Sequence, residues 1–377
     1  MENSVKEIIK SIYFIFRRIP LCILAIFLPS GKKSEFSGAR ILKIVAIRID
    51  RIGDIIVSMP ALKALKQVFP EARISLLVSR QNESLAKCVP YVDEVLVYEG
   101  LFKTSAKLQK KGFDLAVDLM MDYTLKTALL TAFIRSRFRA GFDIGGRGIL
   151  FSLRFKPRAV KSHMSRHIFD LINFIAAART GGSLTQEAVY RPLDISDENR
   201  SFAINTLKEN GITLSEFIVC MHPGGKFPSQ RWPAESFARL ADILIADYKA
   251  RVIFIGSKDD EPLIKRIASL MKQGPAQAIG LPLDKTAGLI SQAKLFIGNN
   301  SGLLHIACCL NVPTVSTLGP TDPYLWRPEG DNNIVVTKSL PCSPCSRPVC
   351  ADNGCLRLIT VGDMLEAVKS TYARGRT

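Results

Sequence analysis

The stretch KIVAIRIDRIGD, residues 43–54, decides the fold class of this chain. Its first seven residues are almost continuously apolar, which is typical of a strand buried on both faces of a parallel sheet. A short loop follows at 50–53, and a helical pattern then runs from about residue 55 to 68, before Pro70. A buried strand that leads into a helix in this way predicts a parallel sheet covered by helices.

The same alternation continues on both sides of a central linker. Further strands are predicted at 73–79, 94–98, 114–119, 217–221, 251–255, 294–297, 314–317 and 334–337. The linker, residues 180–198, carries Gly181, Gly182, Pro192 and several polar residues. We therefore expect an α/β chain in which two Rossmann-like, doubly wound domains, 41–185 and 186–377, face a central cleft. Ligands in such sheets bind beyond the carboxyl ends of the strands.

Composition and charge restrict the class of partner. Hydrophobic residues make up 47% of the 377 residues and charged residues 23%, which excludes wholesale disorder. The net charge of +17 favours an anionic partner. Between residues 126 and 166 ten basic residues are opposed only by Asp143, and we interpret this stretch as a docking surface for an anionic substrate. A solvated face is the alternative. Helix-turn-helix and RNP signals are absent, so no nucleic-acid partner is predicted.

The N-terminal segment raises the question of a membrane. Residues 8–28 read IIKSIYFIFRRIPLCILAIFL, which is long enough to span a bilayer. Arg17 and Arg18 lie in the middle, and together they cancel the insertion energy of about ten apolar residues. We expect residues 1–40 to form an interfacial anchor, with apolar side chains in the acyl boundary and basic ones on headgroups. A flexible or core-packed extension is the alternative.

Four of the nine cysteines follow a spacing that suits a metal. They stand as C-x2-C-x4-C-x4-C in a proline-rich loop, at Cys342, Cys345, Cys350 and Cys355. Four thiolates can hold a structural zinc, but the spacing lacks a second C-x2-C pair. Reduced thiols and a redox-sensitive pair therefore remain alternatives. No P-loop, G-x-G-x-x-G or Asp-x-Asp pattern occurs, which disfavours ATPase, dinucleotide-binding and metal-dependent sugar-nucleotide chemistry.

Three loops that follow predicted strands carry residues of interest, because ligands bind beyond the carboxyl ends of strands in such sheets. The first contains Asp54, which the residues alone indicate to be the N-cap of the next helix. The second contains Lys226 and Arg231, two cations that can neutralise a diphosphate, although a glycine turn with a buried Trp232 is the alternative. In the third, Ser301 and Gly302 begin a helix whose free N–H groups can bind an anion.

In these loops the sequence resembles glycosyltransferase family 9, the ADP-heptose:lipopolysaccharide heptosyltransferases. The resemblance runs from about residue 41 to 368. The matching segments are RIGD at 51–54 with SMPAL at 58–62, HPG at 222–224, RWP at 231–233, GNNSGLLH at 298–305, GPTDP at 319–323 with Trp326, and the Cys-x2-Cys after Pro341. Two positions depart from the family pattern: Gln230 stands where members often have Lys, and Asn300 where many have Asp.

The resemblance implies a GT-B fold and an inverting transfer that needs neither a metal nor another cofactor. Asp54 matches the family's catalytic base, with Asp50 as the alternative. The donor would be an ADP-sugar, and its predicted contacts are Gly225, Lys226, Arg231, Asp260, Glu261, Asn300, Ser301, Gly302, Leu303 and His305. His305 is also interpretable as a packing residue.

The acceptor would be an anionic, lipid-linked glycan of the lipopolysaccharide core. Its predicted contacts are Arg51, Arg135, Arg137, Arg139 and Arg147. The resemblance and the N-terminal segment together predict a peripheral enzyme on the cytoplasmic face of the inner membrane. Three alternatives remain: a family member that uses another nucleotide-sugar for a different envelope glycan, a non-catalytic glycan-binding relative, and a nucleic-acid binder, which only the charge suggests.

Overall fold

The computed structural model describes residues 2–28, 31–185 and 192–374. The chain divides into two compact units, 1–190 and 191–377. Each unit contains a six-stranded sheet in which every neighbouring pair of strands is parallel. Helices fill the connections between strands, as parallel pairing requires.

In unit 1 the strand order is β3-β2-β1-β4-β5-β6. The strands are β1 (Lys43–Ile47), β2 (Arg73–Val78), β3 (Glu94–Val97), β4 (Leu115–Asp118), β5 (Phe138–Phe142) and β6 (Leu153–Phe155). The helices are α1 (Glu2–Ile26), α2 (Lys33–Phe36), α3 (Ile52–Val57), α4 (Met59–Val68), α5 (Glu83–Ala86), α6 (Leu101–Lys111), α7 (Lys126–Phe133) and α8 (Met164–Thr180). Residues 44–47 of β1 are fully buried, in agreement with the continuous apolar run.

In unit 2 the strand order is β12-β11-β10-β7-β8-β9. The strands are β7 (Phe217–His222), β8 (Ala250–Gly256), β9 (Ala276–Ile279), β10 (Leu295–Asn299), β11 (Thr314–Thr317) and β12 (Asn333–Val336). The helices are α9 (Asp197–Glu209), α10 (Ala234–Tyr248), α11 (Glu261–Leu270), α12 (Leu283–Ile290), α13 (Gly302–Cys309), α14 (Pro323–Trp326), α15 (Gly354–Arg357) and α16 (Val361–Arg374).

Both sheets grow outward on one side of their first strand and then, after the third strand, on its other side. In unit 1 the chain adds β2 and β3 on one side of β1 and then returns to place β4 on the other side. Unit 2 repeats this order around β7, with β10 as the returning strand. The loops that leave β1 and β4, and those that leave β7 and β10, therefore flank the topological switch points where doubly wound sheets bind ligands.

Several elements differ from the sequence-based expectation. Strands β5, β6 and β9 were not predicted, because they are short and carry polar or charged residues such as Arg139. The helix expected at 55–68 is two helices, α3 and α4, which meet at Ser58. Pro60 has no N–H with which to continue the hydrogen-bond ladder, so the first helix ends before it.

The N-terminal helix α1 packs against the rest of unit 1. Leu21 is buried in a cluster with Ala128, Ala132, Leu150 and Phe151. Arg17 is only 8% exposed, and its Nε donates to the carbonyl of Gly145 at 2.6 Å. The expectation that the basic residues of this segment contact headgroups is therefore wrong for Arg17, whose guanidinium binds the protein. Among the described residues no helix has the length and apolarity needed to cross a bilayer.

Candidate functional site

Asp54 lies in the first turn of α3, the helix that follows the loop after β1. Arg51 is the N-cap of that helix, so the interpretation of Asp54 as the cap is wrong. Arg48, at 2% exposure, holds the carboxylate: its Nη2 donates to Asp54 Oδ1 at 2.8 Å. The same guanidinium donates from Nη1 to the carbonyl of Leu119, beyond β4, at 2.5 Å. One buried arginine therefore joins the two loops of the switch point in unit 1.

Asp50 is a second carboxyl on the same arginine. Its Oδ1 lies 3.2 Å from Arg48 Nε. Burial raises the pKa of Asp50 to about 7; the charge of Arg48 opposes this shift, and the neighbouring carboxylate of Asp54 adds to it. Two carboxyls therefore share one buried cation, and a single Arg cannot neutralise both.

The structure separates the predicted acceptor arginines into two groups, and Arg139 and Arg147 form the buried one. Arg147 is fully buried and has no exposed surface. It forms ion pairs with Asp118 and with Asp122. Arg139 donates to the carbonyl of Leu150 at 2.8 Å, and burial lowers its pKa. These two guanidinium groups are structural, which corrects their assignment to a docking surface.

The remaining predicted acceptor residues, Arg51, Arg135 and Arg137, are exposed. Arg137 Nη2 lies 3.3 Å from a carboxylate oxygen of Glu35, an exposed ion pair of small energetic weight. Arg135 adopts a φ of +57°, in the left-handed region that a non-glycine residue rarely occupies. The exposed part of the basic stretch is therefore smaller than the charge count indicated.

In unit 2 the side chain of Asn299, at the end of β10, organises the neighbouring loops. Its Nδ2 donates to the carbonyls of Pro223 and Gly224, at 2.7 and 3.0 Å. Its Oδ1 accepts from the backbone N–H of Trp232 and from the hydroxyl of Thr317, both at 2.9 Å. This fully buried amide fixes the glycine turn after β7, and sequence analysis did not assign it a role.

His222, Ser301 and Asp260 form a connected polar group beside that amide. His222 Nδ1 is 2.9 Å from Ser301 Oγ, and its Nε2 is 3.7 Å from Asp260 Oδ2. Burial opposes the charge of Asp260, but His222 and the hydrogen bonds from Ser257 outweigh it and hold its pKa below the usual range. Gly224 allows this packing, since a Cβ there would lie 2.4 Å from Asp260 Oδ1.

Of the two predicted diphosphate cations, one is positioned by the protein and one is at the surface. Arg231 donates from Nε and Nη2 to the carbonyl of Gly225, at 3.0 and 2.8 Å, and its Nη2 lies 3.8 Å from Asp260. Lys226 is exposed, with its Nζ 5.6 Å from the ring centre of Phe227. Gln230, which replaces the expected Lys, donates to the Thr321 hydroxyl at 3.1 Å.

The other predicted donor residues occupy different environments. Gly302 is the first residue of α13, and Leu303 and His305 are buried in that helix. The backbone N–H of Asn300 donates to the carbonyl of Thr317 at 3.1 Å. Glu261 pairs with Lys265 one turn along α11, at 2.7 Å, and this ion pair lowers the pKa of Glu261.

The loop that contains the four spaced cysteines is hydrogen-bonded to two of the loops at the strand ends of unit 2. All four are free thiols. In the described part of the chain, no group of three or more His, Cys, Asp or Glu side chains is arranged to hold a metal ion. Ser343 Oγ donates to the carbonyl of Gly319 at 2.8 Å, Ser229 Oγ donates to that of Arg347 at 2.6 Å, and Asn353 Nδ2 donates to that of Arg231 at 3.2 Å. The cysteine loop is thus tied to the loops after β7 and β11.

Comparison with known proteins identifies the class. The sequence profile of glycosyltransferase family 9 (heptosyltransferase) matches residues 101–355. The chain therefore belongs to this family, and it is an enzyme of the glycosyltransferase class.

Individual relatives agree with this assignment. Lipopolysaccharide heptosyltransferase 2 of Escherichia coli K12 is 27% identical over 302 residues, which cover 76% of this chain and 85% of the relative. Lipopolysaccharide heptosyltransferase 1 of Pseudomonas aeruginosa is 23% identical, over 82% of this chain and 87% of the relative. The solved structure of E. coli ADP-heptose lps heptosyltransferase II has a TM-score of 0.75 at 24% identity and covers 89% of this chain and 100% of that one. The last likeness shows a shared GT-B fold.

Proposed function

We propose that this protein is an inverting, metal-independent heptosyltransferase that moves a heptose from ADP-heptose to a lipopolysaccharide core acceptor. One observation carries the proposal: the family's motifs fall at the two switch points. In unit 1 that position holds the carboxylate of Asp54, which suits proton removal. In unit 2 it holds Arg231 and Ser301, which suit an anionic leaving group.

The chemistry proceeds by a single displacement. The acceptor hydroxyl loses its proton to Asp54 while its oxygen bonds to the anomeric carbon of the donor. The bond between that carbon and the diphosphate oxygen breaks, and ADP leaves with the electron pair. One displacement inverts the anomeric configuration. Lys226, Arg231, the Ser301 hydroxyl and the N–H groups at the start of α13 stabilise the charge that develops on the diphosphate.

The buried polar group of unit 2 positions these contacts. Asp260 is bound by Ser257 and lies beside His222 and Arg231, so we assign it a positioning role through those residues in place of the direct donor contact expected from the sequence. His222 in turn fixes the Ser301 hydroxyl.

The acceptor and the location of the reaction follow from the same proposal. The relatives' names point to lipopolysaccharide, an acceptor that is both anionic and lipid-anchored. Arg51, Arg135 and Arg137 remain as exposed cations of unit 1 that can contact it. We place the enzyme peripherally on the cytoplasmic face of the inner membrane.

A screen of nucleotide-sugars tests the proposal. The purified protein is offered ADP-, UDP- and GDP-sugars, and binding, release of the nucleotide and the anomeric configuration of the product are measured. We expect binding and turnover with ADP-heptose and a product of inverted configuration. Preference for a UDP- or GDP-sugar would instead identify a different envelope glycan, and donor binding without turnover would identify a non-catalytic relative.

A further inference from the structure

The side chains of α1 divide into two faces of opposite character. Phe14, Arg17 and Leu21 face unit 1. On the other side six apolar side chains are each more than half exposed, and they form what we call the outer face of α1: Ile15, Phe16, Ile19, Ile23, Ile26 and the adjoining Phe27. Residues 15, 19, 23 and 26 follow the spacing of a single helical stripe. Between residues 13 and 28 only Arg17 and Arg18 are charged.

The helix is fixed in this orientation. The Arg17 guanidinium donates to Gly145 and lies 4.8 Å from the ring centre of Phe14, which itself packs against Tyr123. Gly145 and Gly146 have φ values of +56° and +84°, and a Cβ on either would lie within about 3.0 Å of Phe14, Arg17 or Arg18. Only glycine allows α1 to approach this closely. The outer face cannot turn inward without breaking these contacts.

The charge around the outer face identifies what covers it. No Asp or Glu occurs between Asp143 and Asp170, whereas Arg154, Lys156, Arg158, Lys161 and Arg166 are exposed there. Arg154 Nε donates to the carbonyl of Phe151, a member of the cluster that buries Leu21, so the start of this basic stretch is close to α1. A second copy of the chain would bring like charges together. A bilayer with anionic headgroups complements both the apolar stripe and its basic surroundings.

A continuous set of contacts joins α1 to the carboxylate of Asp54. Arg17 binds Gly145, and two residues later Arg147 pairs with Asp118 and Asp122 at the end of β4. Between those two acids, the carbonyl of Leu119 accepts from Arg48, which also holds Asp54.

We propose that the outer face of α1 lies on an anionic lipid surface and attaches unit 1, with the carboxyl-end loops of β1 and β4, to that surface. The orientation matters for function on the condition that the acceptor is lipid-linked, as proposed above.

Vesicle flotation of the full-length protein tests this surface. Wild type is compared with Ile19→Glu/Ile23→Glu on phosphatidylglycerol and on phosphatidylcholine vesicles. The matched control is Leu214→Glu/Leu270→Glu, which changes two exposed apolar residues of unit 2 to the same charge. We expect wild type and control to bind phosphatidylglycerol vesicles alike, and the α1 variant to bind about 100-fold more weakly. Binding to phosphatidylcholine should be weaker than to phosphatidylglycerol.

Two further measurements separate the outcomes. Ile19→Gln/Ile23→Gln removes the apolar contact without added charge and should also release the protein, with the melting temperature near wild type because both side chains are exposed. Equal vesicle binding by wild type and both α1 variants would overturn the proposal, as would a dimer in light scattering that the α1 variants dissociate. Transfer to a detergent-solubilised acceptor should persist in the variants. Absence of transfer in wild type, with vesicle binding intact, would instead count against the proposed function.

Discussion

The two switch points share one topology and differ in chemistry. In unit 1, two carboxyls, Asp50 and Asp54, surround the buried guanidinium of Arg48. In unit 2, the neutral amide of Asn299 fixes the backbone, and a buried carboxylate, Asp260, lies beside His222 and Arg231. Under the proposed function, the same strand order supports proton removal in one unit and anion binding in the other. The side chains at the strand ends make this difference, since the backbone arrangement is repeated.

Removing the charge of Asp54 should have the largest effect. Loss of a general base costs about 10²–10⁴-fold in rate, so Asp54→Asn should lower turnover at least about a hundred-fold. Donor affinity should be unchanged, because its proposed contacts lie in unit 2. Stopped assays of ADP release and calorimetric binding of ADP measure the two quantities.

A surface carboxylate provides the control for that variant. Asp170 pairs with Arg166 on α8, and Asp170→Asn should leave both turnover and ADP affinity at the wild-type level. If Asp54→Asn turned over normally, the proton would have to go to another group, and Asp50 on the same arginine would be the next residue to change.

Arg231 and Lys226 should contribute differently to ADP affinity, because the protein positions the first side chain and leaves the second at the surface. Arg231 is positioned by two hydrogen bonds to Gly225, and a charge-assisted contact is worth about 1.5–3 kcal/mol. We expect Arg231→Ala to weaken ADP binding about 10–100-fold, and Lys226→Ala, an exposed cation, only a few-fold. Titration calorimetry with ADP measures both. The control is Arg266→Ala, which removes an exposed arginine paired with Glu235. A larger loss in Lys226→Ala than in Arg231→Ala would contradict this order.

The sequence was sufficient for the architecture and for the position of the candidate loops at the strand ends. Alternating apolar strands and helices are local signals, and both switch-point loops carry recognisable segments. Contacts between distant residues were not predictable in the same way. Arg48 meets Leu119, 71 positions away, and Asn299 meets Gly224, 75 positions away. Charge counting also failed for Arg147, because a run of basic residues does not reveal which one has a buried acid as its partner.

The pH dependence of stability should distinguish Asp50 from an ordinary surface acid. Its pKa in the folded protein is raised from 3.8 to about 7, so the folded state holds the proton more tightly than the unfolded chain does. The resulting stability is fully present below about pH 3.8 and is lost as the pH rises through about 7. Asp50→Asn cannot ionise, so its melting temperature relative to wild type should increase over that interval and then level off. A difference that is constant with pH would show that the pKa of Asp50 is the same in the folded and unfolded states.

Chelation should have the smallest effect. In the proposed mechanism the diphosphate is stabilised by Arg231, Lys226, the Ser301 hydroxyl and the first N–H groups of α13, so no divalent ion is required for the chemistry. Turnover measured before and after incubation with EDTA should therefore be the same. The KM for the donor has to be measured together with kcat, because the cysteine loop is hydrogen-bonded through Asn353 to the backbone of Arg231.

A metal held by the thiolates of that loop would support the loop of Arg231 indirectly. Removal of such a metal would raise the KM for the donor and leave kcat little changed. A loss of kcat that magnesium or manganese restores would instead place a metal on the diphosphate. The side chains of unit 2 would then not suffice for anion binding, and the proposed chemical difference between the two switch points would be contradicted.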